Sequence, residues 1–106
     1  MNNTVTLNEL KVLSALRIKE KYGLEIINTL KEESDKTVYL GTLYNLLSRL
    51  EKRGLLESRW GDESEERAGA RRRYYHLTGA GVRVYSEQRQ ALESLWNDGL
   101  VPELGT

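Results

Sequence analysis

The sequence predicts a mainly helical α+β fold: a winged helix-turn-helix with a three-helix core and a β-hairpin wing, followed by one C-terminal dimerisation helix. Two apolar-periodic segments with few residues between them lead into a third, which is the helix-turn-helix arrangement. Two stretches rich in Leu, Trp and Tyr, Leu55–Trp60 and Arg71–Leu77, then flank the polar loop Gly61–Ala70, as the arms of a hairpin do.

The composition limits the classes of protein to which the chain can belong. Its 106 residues make one domain, and 0 Cys with 1 His leave no basis for disulfides, thiol chemistry or structural zinc. No apolar run approaches the roughly 20 residues that cross a bilayer, and the N-terminus lacks the order of a signal peptide. We therefore expect a cytoplasmic protein with no cofactor, no metal and no membrane partner.

The first two helices form the support of the predicted motif. Thr6 and Glu9 have the spacing of a capping box, and the first helix should run from there to about Lys19. Apolar residues cover more than half of its circumference, so it is either central to the core or shared with a second subunit. A second helix is expected over Leu24–Glu33, and Ser34–Thr37 forms the turn into the third.

The third helix should be the recognition helix. Leucines at 43, 46, 47 and 50 fall on one stripe and should face the core. Val38–Tyr39 is expected to add a short strand to the wing sheet, which leaves Tyr39 or Leu40 as an unusual N-cap. Gly54 should end the helix in a left-handed conformation.

The opposite face of this helix carries hydrogen-bonding groups that can read base edges. Thr42, Asn45, Ser48 and Arg49 are the candidates for contacts with bases or adjacent phosphates, and Tyr44 and Arg53 for contacts with the backbone. Tyr44 has a second interpretation, in which it packs under the wing.

Three consecutive arginines, Arg71, Arg72 and Arg73, open the returning arm of the hairpin and are the candidate wing contacts to DNA. A solvated strand end is the other interpretation, and because strand residues alternate faces, at most two of the three point the same way. The net charge of the chain is zero, but residues 39–77 carry eight Lys/Arg against six Asp/Glu. Positive charge is therefore concentrated where phosphate contact needs it.

The last helix should begin at Thr78 as N-cap, with a first turn weakened by Gly79 and Gly81, and Pro102 should end its pattern. Its apolar stripe predicts the dimer interface. The stripe consists of Val82, Tyr85, Leu92, Leu95 and Trp96. The expected organisation is a winged domain over residues 6–77, a dimerisation helix over 78–101 and a tail over 102–106.

No pattern in the sequence supports an enzyme. His76 stands without a second His or a Cys and is best explained as a structural residue, and Glu65–Glu66 as solvated charge on the wing loop rather than catalytic carboxylates. We predict a dimeric, sequence-specific regulator of transcription, a repressor of a pseudo-palindromic double-stranded DNA operator. The alternative is a winged-helix protein-interaction module without an operator, which the neutral net charge and the acidic wing loop favour.

The ordered motifs of the chain resemble those of PadR-like transcriptional regulators. The residues that carry the resemblance are Tyr22-Gly23 with Glu25-Ile26, Gly41-Thr42-Leu43-Tyr44, the run LSRLEKRGLL from Leu47 to Leu56, and the run RRYYHLT from Arg72 to Thr78 with Gly81. The resemblance implies a dimeric bacterial repressor of the branch with a single C-terminal helix, which includes multidrug-responsive repressors. Asn45, where the family usually has proline, and Gly79-Ala80 depart from the pattern.

The same resemblance implies a small planar apolar ligand at the dimer interface, which would release the operator. In similar repressors a tryptophan of the last helix stacks on such ligands. Here Leu92 stands at that position and Trp96 lies one turn later, so these two residues are the ligand candidates.

Overall fold

The computed structural model describes residues 4–33, 38–62 and 71–97. Within these ranges the elements are α1 (Leu7–Ala15), β1 (Lys21–Tyr22), α2 (Gly23–Glu33), α3 (Leu40–Lys52), β2 (Leu56–Trp60), β3 (Arg73–Leu77) and α4 (Gly79–Asn97). The predicted winged helix-turn-helix with a further helix after the wing is confirmed. The predicted turn over residues 34–37, the acidic pair at 65 and 66 in the wing loop, the helix end near Pro102 and the tail lie outside the described residues.

Helix α1 begins at the predicted capping box. The Glu9 amide donates to the Thr6 hydroxyl over 3.1 Å, and the Thr6 amide donates to the Glu9 carboxylate over 2.8 Å. The helix ends at Ala15, so the predicted extension to Lys19 is wrong, and Ile18 is 80% exposed. The Lys21 ammonium donates to the Ala15 carbonyl over 2.7 Å, which satisfies a carbonyl at the helix end and lets the chain leave the helix.

The sheet is antiparallel with strand order β1-β3-β2. Strands β2 and β3 form the predicted hairpin, in which Ser58 pairs with Tyr75. The third strand is Lys21–Tyr22 rather than the predicted Val38–Tyr39. Tyr39, one of the two predicted N-cap residues, is the N-cap of α3, and its carbonyl accepts the first helical hydrogen bond from the Leu43 amide over 3.0 Å. This segment therefore belongs to the helix start and not to the sheet.

The core lies between the three helices of the motif, the base of the wing and α4. All four leucines predicted to face inward on α3 are buried, and Leu43, Leu47 and Leu50 are completely inaccessible. The whole cluster consists of Val5, Val12, Leu13, Ala15, Leu16, Ile26, Leu30, Leu43, Leu46, Leu47, Leu50, Leu55, Leu56, Tyr75 and Val84. Because Val5 is a member, the segment before α1 is anchored to the domain.

A compact joint connects the end of α3, the start of β2 and the start of α4. Gly54 follows the C-cap of α3 with φ +75°, the left-handed conformation predicted for it. The Thr78 hydroxyl donates to the Gly54 carbonyl over 2.6 Å and accepts from the Gly81 amide over 3.1 Å, while the Thr78 amide donates to the Leu55 carbonyl over 3.1 Å. The predicted N-cap at Thr78 therefore also fastens α4 to the base of the wing.

Candidate nucleic-acid interface

Helix α3 presents one continuous polar face. Its 13 residues have buried leucines on one side only, as the periodicity predicts. The other side exposes Thr42, Tyr44, Asn45, Ser48 and Arg49. These five candidates thus lie together on the surface of a helix whose orientation is fixed by a fully buried stripe.

Tyr44 is exposed and also packs against a neighbouring helix. Its side chain is 44% exposed, yet a Cβ added to Gly23 would lie only 2.8 Å from the Tyr44 hydroxyl oxygen. The phenol therefore rests against the start of α2, where a residue with a side chain would displace it. This packing fixes the direction of an aromatic ring that remains accessible on the polar face.

Gly41 lies in the first turn of α3 and is exposed. No heavy atom outside its own helix backbone and chain neighbours lies within 4 Å of the Cβ that a side chain would add, among the residues that the structure describes. Glycine costs an interior helical position about 1 kcal/mol relative to alanine. Packing within the described chain gives no reason for that cost.

The three wing arginines occupy three different environments. The Arg71 guanidinium donates to the Gly61 carbonyl over 3.3 Å. The Arg72 guanidinium carbon lies 4.5 Å from the centre of the Tyr22 ring, a cation–π distance. Arg73 contacts the recognition helix, through the side chain of Glu51.

Glu51, Ser58 and Arg73 form a closed cluster, which we call the Glu51 cluster. The Ser58 hydroxyl donates to the Glu51 carboxylate over 2.7 Å, and Arg73 Nε donates to the Ser58 hydroxyl over 2.9 Å. Arg73 Nη2 lies 3.4 Å from both carboxylate oxygens. The cluster connects α3, β2 and β3. Burial raises the pKa of the neighbouring Tyr75 phenol, and the positive charge of Arg73 opposes that rise.

A groove of about 430 Å³ separates α3 from the wing. Its lining consists of Tyr22, Gly23, Leu24, Leu40, Tyr44, Trp60, Arg71, Arg72, Arg73 and Tyr75. The groove thus brings Tyr44 of the recognition helix together with all three wing arginines. It also includes Trp60, which is 55% exposed and was not among the sequence-predicted contacts.

A second set of contacts stiffens the sheet at Arg59. The Arg59 guanidinium is paired with the Glu20 carboxylate, with Nε 3.0 Å from Oε2, and lies 4.8 Å from the centre of the Tyr74 ring. Hydrogen bonding from Arg59 lowers the pKa of Glu20. Tyr74 packs edge-on against Tyr22 with ring centres 5.6 Å apart, so these contacts join all three strands. His76 lies 3.2 Å from Glu57, as a residue of the sheet surface.

Arg53 does not line the groove. Its guanidinium donates to the Thr4 carbonyl over 3.0 Å and lies 3.9 Å from the Glu9 carboxylate. The side chain therefore holds the segment before α1 against the end of α3. A contact between Arg53 and DNA stays a prediction.

The predicted stripe of α4 lies on the surface of the single chain. Val82, Leu92 and Trp96 are 49%, 42% and 43% exposed, and Leu95 is 39% exposed. Tyr85 is half-buried at the edge of the core. The helix buries Gly81 and Val84 instead, through its packing on α1 and β3.

The described residues contain neither a membrane-spanning helix nor a metal-binding group. None of the described helices is both long and apolar enough to cross a bilayer. Over residues 4–33, 38–62 and 71–97, no three side chains of metal-binding type form a group that could hold an ion.

Comparison with known proteins identifies the same family by sequence and by structure. The profile of the "Transcriptional regulator PadR-like family" matches residues 12–87. A PadR-like transcription factor from Bacteroides fragilis is 33% identical, with a TM-score of 0.77 over 89% of this chain and 86% of that chain. A PadR family transcription regulator from Clostridium difficile R20291 is 30% identical, with a TM-score of 0.73 over 88% and 97% of the two chains. A PadR-like regulator from Bacillus cereus is 29% identical, with the same TM-score over 92% and 94%.

Sequence reasoning identified the exposed face of α3 but missed several residues of the groove. Leu24, Leu40 and Trp60 carry no charge and look like core residues in a linear sequence. The signal for Trp60 is the alternation of β2, which places it on the same strand face as the buried Leu56 and beyond the edge of the core. Glu51 carried no signal by itself, because its role depends on two partners from other elements.

Proposed function

Because the chain belongs to the PadR-like family of transcriptional regulators, we propose that this DNA-binding regulator is a homodimeric repressor that binds a pseudo-palindromic operator. The observation that carries the proposal is the exposed polar face of α3 beside a groove lined by three arginines. In winged-helix binding, the recognition helix enters the major groove while the wing contacts phosphates or the minor groove.

The polar face of α3 divides between base readout and backbone contact. Thr42, Asn45, Ser48 and Arg49 face base edges or adjacent phosphates. The Asn45 amide has the donor and acceptor pair that matches adenine, and Arg49 has the fork that matches guanine. Tyr44, whose phenol is held against Gly23, contacts the DNA backbone.

Arg71 and Arg72 supply the wing contacts. The Arg71 guanidinium donates to the Gly61 carbonyl. The Arg72 guanidinium lies over the uncharged Tyr22 ring, so its positive charge remains effective toward a phosphate. Phosphate contacts set affinity and its salt dependence, whereas the polar face of α3 sets sequence preference.

The dimer forms through α4. This helix carries four large apolar side chains that are each more than a third exposed: Val82, Leu92, Leu95 and Trp96. Packing two copies of this stripe together removes their apolar surface from water and gives a two-fold axis. The two recognition helices then read half-sites about 34 Å apart.

A small planar apolar ligand between the two copies of α4 regulates the dimer. Leu92 and Trp96 provide the apolar and aromatic surfaces for it, one turn apart on the exposed stripe. Binding there would change the spacing of the two recognition helices and release the operator.

Selection of random DNA duplexes by the purified protein, at two salt concentrations, tests the proposal. We expect enrichment of an inverted repeat with half-sites about one helical turn apart. The Asn45→Ala variant should relax the preference at one base position, whereas Asn28→Ala, which removes an exposed amide from α2, should select the wild-type repeat. Failure of the wild-type protein to enrich any sequence would instead favour a protein-interaction module.

A further inference from the structure

The wing is attached to the recognition helix by side chains as well as by the chain itself. Glu51 lies in the last turn of α3, Ser58 in the middle of β2 and Arg73 at the start of β3. Their contacts, at 2.7, 2.9 and 3.4 Å, form a closed triangle across the three elements. The buried Leu55 and Leu56 hold the base of the wing, and this triangle adds a side-chain attachment between the middle of the wing and α3.

The contacts of the triangle distinguish Arg73 from its neighbour Arg72. Arg73 faces the Glu51 carboxylate, whereas Arg72 lies against the uncharged ring of Tyr22. The Ser58 hydroxyl accepts from Arg73 Nε while it donates to Glu51, which fixes the plane of the guanidinium. The rings of Trp60 and Tyr75, each 5.7 Å from its central carbon, enclose it further. Because Glu51 already neutralises the charge of Arg73, a contact between Arg73 and a phosphate would add little to the affinity for DNA.

The Arg73–Glu51 pair orients the wing more than it stabilises the fold. The side chains of Arg73 and Glu51 are 44% and 33% exposed, and ion pairs with that exposure add little to folding stability. The pair does, however, restrict the angle between the wing and α3. That angle decides whether the wing meets the DNA backbone when α3 is seated in the groove.

We propose that Glu51 is a positioning residue that holds the wing through Arg73, and that Arg73 makes no phosphate contact in the DNA complex. The sequence predicts the opposite role for Arg73. This inference rests on the proposed mode of DNA binding. Arg71 and Arg72 remain the wing contacts, and the Glu51 cluster sets where they arrive.

The salt dependence of operator binding separates positioning from phosphate contact. Each phosphate contact contributes about 0.9 to the slope of log K against log salt. We expect Arg73→Gln to weaken binding by roughly two- to fivefold at every salt concentration, the range that an exposed ion pair supports, with an unchanged slope. The matched variant Arg72→Gln should flatten the slope by about 0.9. Flattening by Arg73→Gln, or no loss of affinity, would overturn the proposal.

A double-mutant cycle provides the second test. If Glu51 acted only through its charge, Glu51→Gln would tighten DNA binding, and its effect would add to that of Arg73→Gln. Positioning predicts that Glu51→Gln weakens binding although it removes a negative charge, and that the double variant binds like either single variant. Tighter binding by Glu51→Gln, or additive effects, would refute the role of Glu51.

The wild-type protein keeps the two proposals distinguishable. If it shows no salt-dependent binding to its selected duplex, the proposed DNA binding fails before any variant is compared. If the wild type and Arg72→Gln behave as expected and Arg73→Gln also flattens the slope, DNA binding stands and the positioning role falls. Urea unfolding of each variant, with a midpoint close to that of the wild type, shows that the affinities refer to folded protein.

Discussion

Replacing Gly81 by alanine sets two effects of opposite sign against each other. Gly81 lies in the first turns of α4, where alanine is intrinsically more favourable by about 1 kcal/mol. An alanine Cβ at this position would lie 2.1 Å from the Leu55 carbonyl oxygen and 3.1 Å from its carbon. Carbon and oxygen normally approach to about 3.3 Å, so one of two backbone segments must move by about 1 Å.

The displacement should outweigh the helix propensity. Overpacking of this kind costs about 1–3 kcal/mol. Moving α4 away from Leu55 also stretches the 3.1 Å hydrogen bond from the Thr78 amide to the same carbonyl, which is worth about 1 kcal/mol. After subtraction of the propensity term, we expect a net loss of about 1–3 kcal/mol. For a chain of this size that corresponds to a decrease in Tm of roughly 4–12 °C.

Gly79→Ala is the matched control, because it lies in the same turn. The nearest atom to its added Cβ is Arg83 Nη1 at 3.6 Å, an ordinary contact with a flexible side chain. This variant should be as stable as the wild type or up to about 1 kcal/mol more stable. Urea unfolding followed by circular dichroism, with all proteins at one concentration, gives both values. Equal stability of the two variants would refute the close approach of α4 to Leu55.

Three further predictions use other contacts. Gly41→Ala should raise the free energy of unfolding by about 0.5–1 kcal/mol, because no described atom opposes the added Cβ. The same variant should weaken operator binding if DNA lies close to the α3 backbone at this position. An unchanged affinity in a duplex titration would exclude such close contact. Thr6→Ala should cost about 1 kcal/mol in urea unfolding through loss of the capping box, and a cost near zero would contradict that role. Arg59 lowers the pKa of Glu20 from its ordinary 4.5, so the pair stabilises the fold above that pH and loses its effect as pH falls through the lowered value. Arg59→Gln should therefore be less stable than wild type near neutral pH, and urea unfolding should show this difference shrink as the pH falls through that lowered value.

Local features of the fold could be predicted from the sequence, and non-local ones could not. The capping box and the leucine stripe depend on residues within one or two turns, and both were predicted correctly. Strand β1 has two residues and exists because it pairs with Tyr74 and Tyr75, more than 50 positions later. A two-residue strand leaves no periodic pattern. The end of α1 was missed for a related reason, since Lys21 reaches back to satisfy its last turn.

The candidate site divides in the same way. The exposed face of α3 follows from helical periodicity, so its polar residues were identified together. The difference among the wing arginines does not follow from composition, because three identical side chains stand in a row. It arises from the strand register and from Glu51 and Tyr22, which belong to other elements. Only the folded chain brings these partners together.

The joint at Thr78 has a mechanical consequence for a dimer formed through α4. Because Thr78 bonds to Gly54 and Leu55, and Gly81 abuts the same backbone, α4 and the base of the wing should turn as one rigid body. The 19 residues of α4 span about 28 Å at 1.5 Å each, so a tilt of about 10° between two copies would shift the far end by about 5 Å. A small change in the crossing angle of the two copies of α4 would therefore displace the far end of the helix by more than one base-pair step of the operator.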